Sequence, residues 1–129
     1  MSADPIQLLT DIPTVHARDR PSDIAVAFEG RDLSYAELDR RSALVAGFLQ
    51  AAGVKAGDRI AWLGRASEAW YEVFFGAAKA RACFAPINTR LAAPEVAFIL
   101  KDSSADTFFV SPEFFAVTET ILPDLGRPI

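Results

Sequence analysis

Apolar positions along this chain fall into helical, alternating and continuous patterns, and each predicts a different element. Between Pro5 and Asp19 the spacing of Leu8, Leu9, Ile12 and Val15 is weakly helical and is interrupted by Pro13. The run IAVAFE, residues 24–29, alternates weakly and is followed by Gly30-Arg31 and a short DLS, which together predict a small hairpin. Ser34 to Glu37 spells S-Y-A-E, a capping box. The serine hydroxyl can accept from the Glu37 amide while the glutamate reaches back to the Ser34 amide, so a helix is predicted to start there. Leu38, Val45, Phe48, Leu49 and Ala52 share one side of it, and Gly53 stands where its end needs a left-handed residue.

Three runs are apolar without alternation: IAWL (60–63), ACFAPI (82–87) and TFFV (107–110). That is the mark of strands covered on both faces. Between them lie a helix capped by Ser67 and ended on Arg81, and a helix opened by Pro94 at its first position with Val96, Ile99 and Leu100 inward. Ser111-Pro112 starts a final short helix that ends before Pro123. Strand, helix, strand, helix, strand with short connections predicts right-handed parallel crossovers. The expected fold is therefore α/β: βαβαβ units with a parallel sheet flanked by helices, plus a small N-terminal hairpin.

The helix over 68–80 is unusual. Glu68, Glu72 and Lys79 form one narrow stripe, expected to be its solvated edge, and the rest is Trp70, Tyr71, Val73, Phe74, Phe75, Gly76 or Ala. A helix apolar nearly all round belongs inside a large body. Three short strands and their helices supply too little polypeptide to surround it, so either the remainder of a longer chain or a second copy is expected to complete the burial. The organisation read from this is a partial domain over 1–129, with an N-terminal helical segment (1–23) and an α/β core (24–115).

Composition narrows the function classes. The 129 residues are 51% hydrophobic and 23% charged, with a net charge of -4 and a pI near 4.9. That balance lacks the clustered Lys and Arg that a nucleic-acid backbone would attract. The start, MSADPIQLLT, carries no Lys or Arg, unlike a secretory signal. No apolar run approaches the ~20 residues that span a bilayer. With a lone Cys83 there is no intramolecular disulfide and no cysteine cluster for a metal, so a cytoplasmic location is expected.

Few residues offer chemistry. The seven glycines never form G-x-G-x-x-G or G-x-x-x-x-G-K-[ST], and GVKAGD (53–58) reads as turn chemistry. His16, the one histidine, lies in the weak N-terminal segment and reads as a surface or satisfied structural residue. Cys83 lies in an apolar strand and reads as a small buried hydrophobe. Arg18, Arg20 and Arg31 are interleaved with acids, which favours local ion pairing. Arg81 falls where a cation meets the negative end of a helix dipole. Arg90 lies just beyond Pro86-Ile87-Asn88, at the carboxyl end of a predicted parallel strand, where ligands of open α/β sheets gather. It is the candidate binding residue, with a loop ion pair as the other reading. Asn88 in the same loop can shape the turn through its side chain.

Four stretches carry a family resemblance: LSYAEL (33–38), AGDRIAWL (56–63), KARACFAPIN (79–88) and RLAAPEVAFILKDS (90–103). In order and spacing they resemble the opening of the AMP-forming acyl-CoA synthetases of the adenylate-forming superfamily, over residues 14 to 115, in a tone closer to fatty-acid or aromatic-acid CoA ligases. The resemblance implies a two-step ligase. A carboxylic acid attacks the α-phosphorus of ATP, pyrophosphate leaves, and the coenzyme A thiol then displaces AMP, with Mg²⁺ bridging the phosphates. The family's Ser/Thr/Gly-rich nucleotide loop with its Lys follows the matched region, so the chain is expected to stop short of the catalytic parts and to hold no catalytic or metal residue. ATP, Mg²⁺ and coenzyme A are expected for the full-length parent and none for the fragment. Asn88 and Arg90 are the positions to which the resemblance extends a role, as contacts for the coenzyme A nucleotide.

Two departures from the family pattern stand out. Arg81 replaces the glycine of K-A-G, so the helix is expected to end without a left-handed residue. Ala93 stands where a capping Thr is usual. The expected function is the N-terminal part of an ATP-dependent carboxylic acid CoA ligase, inactive alone. The alternative is a free-standing α/β interaction module that homodimerises or docks a partner through its apolar surface. An esterase-like enzyme is disfavoured by the lack of a G-x-S-x-G elbow.

Overall fold

The computed structural model describes residues 6–126 and 129. In chain order the elements are α1 (Asp11–Asp19), β1 (Ile24–Phe28), β2 (Arg31–Ser34), α2 (Tyr35–Ala51), β3 (Arg59–Leu63), α3 (Glu68–Lys79), β4 (Cys83–Ile87), α4 (Ala93–Ser103), β5 (Thr107–Val110) and α5 (Phe115–Ile121). They form two units: residues 1–55 with 66–81, and residues 56–65 with 82–129.

The first unit holds the hairpin and three helices. β1 and β2 pair antiparallel with Phe28 opposite Arg31. Glu29 and Gly30 both take positive φ (50° and 76°), the two-residue turn whose twist suits a hairpin. The predicted helix from Pro5 begins only at Asp11, whose carboxylate accepts the amides of Gln7 (3.0 Å) and Leu8 (2.9 Å); Pro5 lies outside the described residues. Pro13 falls in the first turn of α1, where no backbone bond is lost, so it does not interrupt the helix.

α2 begins as predicted, but its capping box is one-sided. Ser34 Oγ accepts the Glu37 amide at 3.2 Å, while the Glu37 carboxylate accepts instead from Arg40 (2.8 Å) and Arg41 (3.2 Å). Its other end is closed on both bonds of a Schellman motif: Val54 N–H donates to Leu49 O and Gly53 N–H to Gln50 O, both at 3.0 Å. Gly53 there has φ +90°. Leu33, Leu38 and Phe75 form the buried core of this unit, flanked by Ile12, Ala25, Val26 and Phe74.

Two expectations for α3 are corrected. First, its charged stripe is not solvated. Glu68, Glu72 and Lys79 side chains are only 21%, 16% and 16% exposed, and they pair with Arg31, Arg41 and Asp39 of β2 and α2. A polar stripe can be an inner face when a neighbouring helix answers it charge for charge. Along the rest of α3, Val73, Phe75, Gly76 and Ala77 are buried, Trp70 and Phe74 are half-buried, and Ala69 and Tyr71 are exposed. Second, the helix does end in the left-handed region, with Arg81 at φ 64° donating its N–H to Ala78 O at 3.0 Å. Arg81→Gly is therefore expected to raise stability by about 1 kcal/mol, read from urea unfolding. Arg81→Ala, which keeps the strain, should gain nothing.

Glu72 gives a pH signature. Burial pushes its carboxyl above the usual range; Arg41, 3.6 Å away, pulls it down less, and the like charge of Glu68 adds to the rise. A carboxyl raised in the folded state favours folding below the unfolded value, and that contribution is lost as pH rises through the folded one. The chain should therefore gain stability relative to Glu72→Gln as pH falls through the raised folded value towards the ordinary carboxylate range. A difference between the two that stays constant across that window would contradict the assignment.

The second unit is a three-stranded parallel sheet in the order β4-β3-β5. Its register runs Arg59↔Cys83 to Leu63↔Ile87 on one side and Ile60↔Thr107 to Leu63↔Val110 on the other. On one face Ala61, Leu63 and Ile87 pack with Val96 and Leu100 of α4 and Ile121 of α5 in one apolar cluster. Only β3, in the centre, is buried from Ile60 to Leu63; β4 and β5 are edges and stay partly exposed, so continuous apolarity did not guarantee cover on both faces. Cys83, expected to be buried, opens edge strand β4 and is exposed. Helix α4 starts at Ala93, with Pro94 second rather than first. The last helix is preceded by a 3₁₀ turn (Pro112–Phe114) and ends at Ile121, before Pro123 as expected, with a second 3₁₀ turn (Leu122–Leu125) after it.

Candidate functional site

Strand order sets the place to look. The chain steps from β3 to β4 on one side and then crosses to β5 on the other, so the order reverses at the β3/β5 boundary. Ligands of open α/β sheets gather outside the carboxyl ends of the strands, at such a reversal. The loops there are Gly64-Arg65 after β3 and the residues from Ser111 after β5; Asn88–Arg90, the loop read from the sequence, follows β4 on the other side of β3.

The Asn88–Arg90 loop is fixed by its own side chain. Asn88 Oδ1 accepts the Arg90 amide at 2.9 Å, and Asn88 O accepts the Leu91 amide at 3.3 Å. This is the turn-shaping role read from the sequence. Ile87, buried, anchors the start of the loop. At its far end Ala92, extended at φ -74° and ψ 158°, is the N-cap of α4, one residue earlier than Ala93. Alanine offers no side-chain acceptor, and Glu95 supplies half of the missing cap by accepting the Ala92 amide at 3.0 Å. Asn88 and Arg90 are both exposed, and among the described residues the Arg90 guanidinium has no ion-pair partner. A loop ion pair, the other reading of Arg90, is not formed.

Two residues at the strand ends were missed in the sequence. Gly64 follows β3 so closely against Ser111 that a Cβ would overlap the Ser111 hydroxyl. The Ser111 amide donates to Leu63 O at 3.0 Å, and Trp62 Nε1 donates to Gly64 O at 3.1 Å. The Ser111 bond pins the ends of β3 and β5 together at the reversal, and the Trp62 bond holds the turn that leaves β3. The one available signal was a glycine directly after an apolar run, which marks a close backbone approach.

The remaining candidates resolve as structure. His16 Nδ1 accepts from Arg20 Nε at 3.3 Å, its ring lies 4.8 Å from that of Tyr35, and the Arg20 guanidinium sits 4.9 Å above the Tyr35 ring. Arg18 pairs with Asp19 (2.9 Å), Arg20 with Asp23 (3.9 Å) and Arg31 with Glu68 (3.2 Å). Among the described residues no group of three or more His, Cys, Asp and Glu could hold a metal ion, and no helix is long and apolar enough to cross a membrane.

Comparison with known proteins agrees with this architecture. The sequence profile of the AMP-binding enzyme family matches residues 14–127. The fatty acid–[acyl-carrier-protein] ligase ScoC of Streptomyces coeruleorubidus is 45% identical over 114 residues, 88% of this chain and 22% of that protein. The long-chain-fatty-acid–CoA ligase FadD13 of Mycobacterium tuberculosis is 47% identical over 96 residues, 74% of this chain and 19% of that protein. The crystal structure of the anthranilate CoA ligase AuaEII with anthranoyl-AMP superposes with a TM-score of 0.90 at 28% identity, covering 99% of this chain and 25% of that one. The chain thus spans about a fifth of the length of the curated relatives it matches. By profile, by identity and by fold it belongs to the family of AMP-binding enzymes.

Proposed function

We propose that the chain is the amino-terminal part of an ATP-dependent carboxylic acid CoA ligase, which activates a fatty-acid-like acid as acyl-AMP and transfers it to coenzyme A, and that this chain alone does not turn over. The observation that carries the reading is the 45% identity over 114 residues to a ligase of which they form 22%. The donor set agrees. The described residues offer no acidic cluster for Mg²⁺ and the sequence has no glycine-rich phosphate cradle, so ATP and its metal would be held by residues elsewhere in the parent protein.

What this chain would contribute is a rigid sheet and one cation at the carboxyl end of β4. Arg90 is exposed and without an ionic partner, on a loop held by Asn88, and a guanidinium so placed suits a phosphate of the coenzyme A nucleotide. Asn88 would act as a positioning residue.

A chimaera tests this. Residues 14–127 replace the matched segment of FadD13. The expected outcome is acid-dependent pyrophosphate release and thioester formation. Arg90→Gln in the chimaera should raise KM for coenzyme A about 10-fold while leaving acyl-AMP formation unchanged. A folded chimaera that forms no acyl-AMP would overturn the ligase reading; an Arg90→Gln variant with unchanged KM would overturn only the role of Arg90.

A further inference from the structure

One buried oxygen in the α2/α3 interface lacks a donor. Glu68 Oε1 takes the Arg31 guanidinium of β2 at 3.2 Å. Among the described residues nothing donates to Glu68 Oε2, although that atom is buried. Buried carboxylate oxygens are costly to leave in that state. One helical turn further along the same face stands Glu72, whose side chain is 16% exposed and whose Oε1 lies 3.6 Å from Arg41 Nη1, long for a hydrogen bond. The neighbouring cations are already engaged. Arg41 Nε donates to Glu37 at 3.2 Å, Arg40 donates to the same Glu37 oxygen at 2.8 Å, and Lys79, further down the stripe, is tied to Asp39. Two carboxylates four residues apart on a helix also repel each other.

We infer that Glu68 and Glu72 form a proton switch: one proton taken from solvent resides on Glu72, whose carboxyl O–H donates to Glu68 Oε2 across the first turn of α3. The proton supplies the donor that Oε2 lacks and removes one of two like charges. It also changes what Glu72 holds. As a carboxylate it faces Arg41 and ties α3 to α2; as a carboxyl it bonds within α3 and leaves Arg41 to Glu37. The upward push that burial and Glu68 exert on the Glu72 carboxyl has the sign this exchange needs. All the groups involved belong to β2, α2 and α3, and the inference does not rest on the ligase reading.

Carbon-13 NMR of the side-chain carboxyl carbons, followed through a pH titration of the 129-residue chain, tests it. The Glu72 resonance should titrate above the ordinary carboxylate range, and the Glu68 resonance should move in the same step. In Glu72→Gln that step should vanish from Glu68. The amide introduced there donates to Oε2 at every pH, and its protons should exchange about 10-fold more slowly than in Glu72→Gln combined with Glu68→Ala. Should Glu72→Gln fail to fold, the titration of the unaltered chain decides alone. A Glu68 carbon that stays still while Glu72 titrates, or an introduced amide that exchanges equally fast with and without Glu68, would overturn the inference.

Discussion

Gly76→Ala is expected to destabilise the chain by about 3 kcal/mol. Gly76 sits where α3 crosses α2, and a Cβ there would stand 2.5 Å from Val45 Cγ1, 2.6 Å from Val45 Cβ and 3.0 Å from the Ser42 carbonyl oxygen. A β-branched side chain held by its helix cannot swing away, and a backbone carbonyl cannot move without its helix, so the two helices must separate. Separation would also loosen the Asp39–Lys79 and Glu72–Arg41 pairs that join them. Urea unfolding measures the loss. Gly47→Ala on the exposed side of α2, where a Cβ meets nothing within 4 Å, is the matched control and should be stabilising by several tenths of a kcal/mol. A Gly76→Ala variant as stable as the parent would mean that α2 and α3 are not in close contact.

Asp39→Ala is expected to cost about 2 kcal/mol, below the usual range for breaking a buried pair because the Asp39 side chain is 32% exposed. Its carboxylate accepts from Lys79 Nζ at 2.6 Å and from Thr14 Oγ1 at 3.0 Å, while Lys79 Nζ also donates to the Asp39 carbonyl at 2.9 Å. Removal leaves an ammonium that is only 16% exposed with one neutral acceptor. Lys79→Met should cost much less, since the carboxylate left behind can rehydrate and keeps Thr14. A double-mutant cycle over Asp39 and Lys79 reads the pair directly; a coupling near zero would show the contact to be incidental.

Local pattern in the sequence reveals some of these contacts and hides others. The strands β3, β4 and β5, the hairpin and the loop after β4 were legible because each depends on local pattern: apolar runs of strand length, a glycine between two short strand-like runs, an Asn that can bond its own backbone. The hairpin turn falls on Glu29-Gly30, one residue before the Gly30-Arg31 read from the sequence. The surroundings of α3 were not. Period alone places Glu68, Glu72 and Lys79 on one stripe, but whether that stripe meets water or answering charges depends on Arg31, Arg41 and Asp39, which are distant in sequence. The same holds for Cys83, whose apolar strand is exposed because of where β4 falls in the sheet order. Arg81 was misjudged for a different reason. The left-handed end of α3 is set by the turn into β4, and the helix keeps that conformation at the expense of strain in a non-glycine residue.

The candidate site was half legible. Asn88 and Arg90 were placed in one loop at the strand ends, and Asn88 bonds the Arg90 amide as its residue type suggests. Gly64 and Ser111 were invisible, because their importance is a contact between the ends of β3 and β5 that no spacing encodes.

In the proposed function this chain supplies scaffold and one cation to a ligase, and the groups that activate the acid lie elsewhere. Incubating the purified chain with ATP, Mg²⁺, coenzyme A and a panel of fatty and aromatic acids, and following pyrophosphate, tests that most directly. The account predicts no release above the enzyme-free control; acid-dependent release that scales with the amount of chain would contradict it.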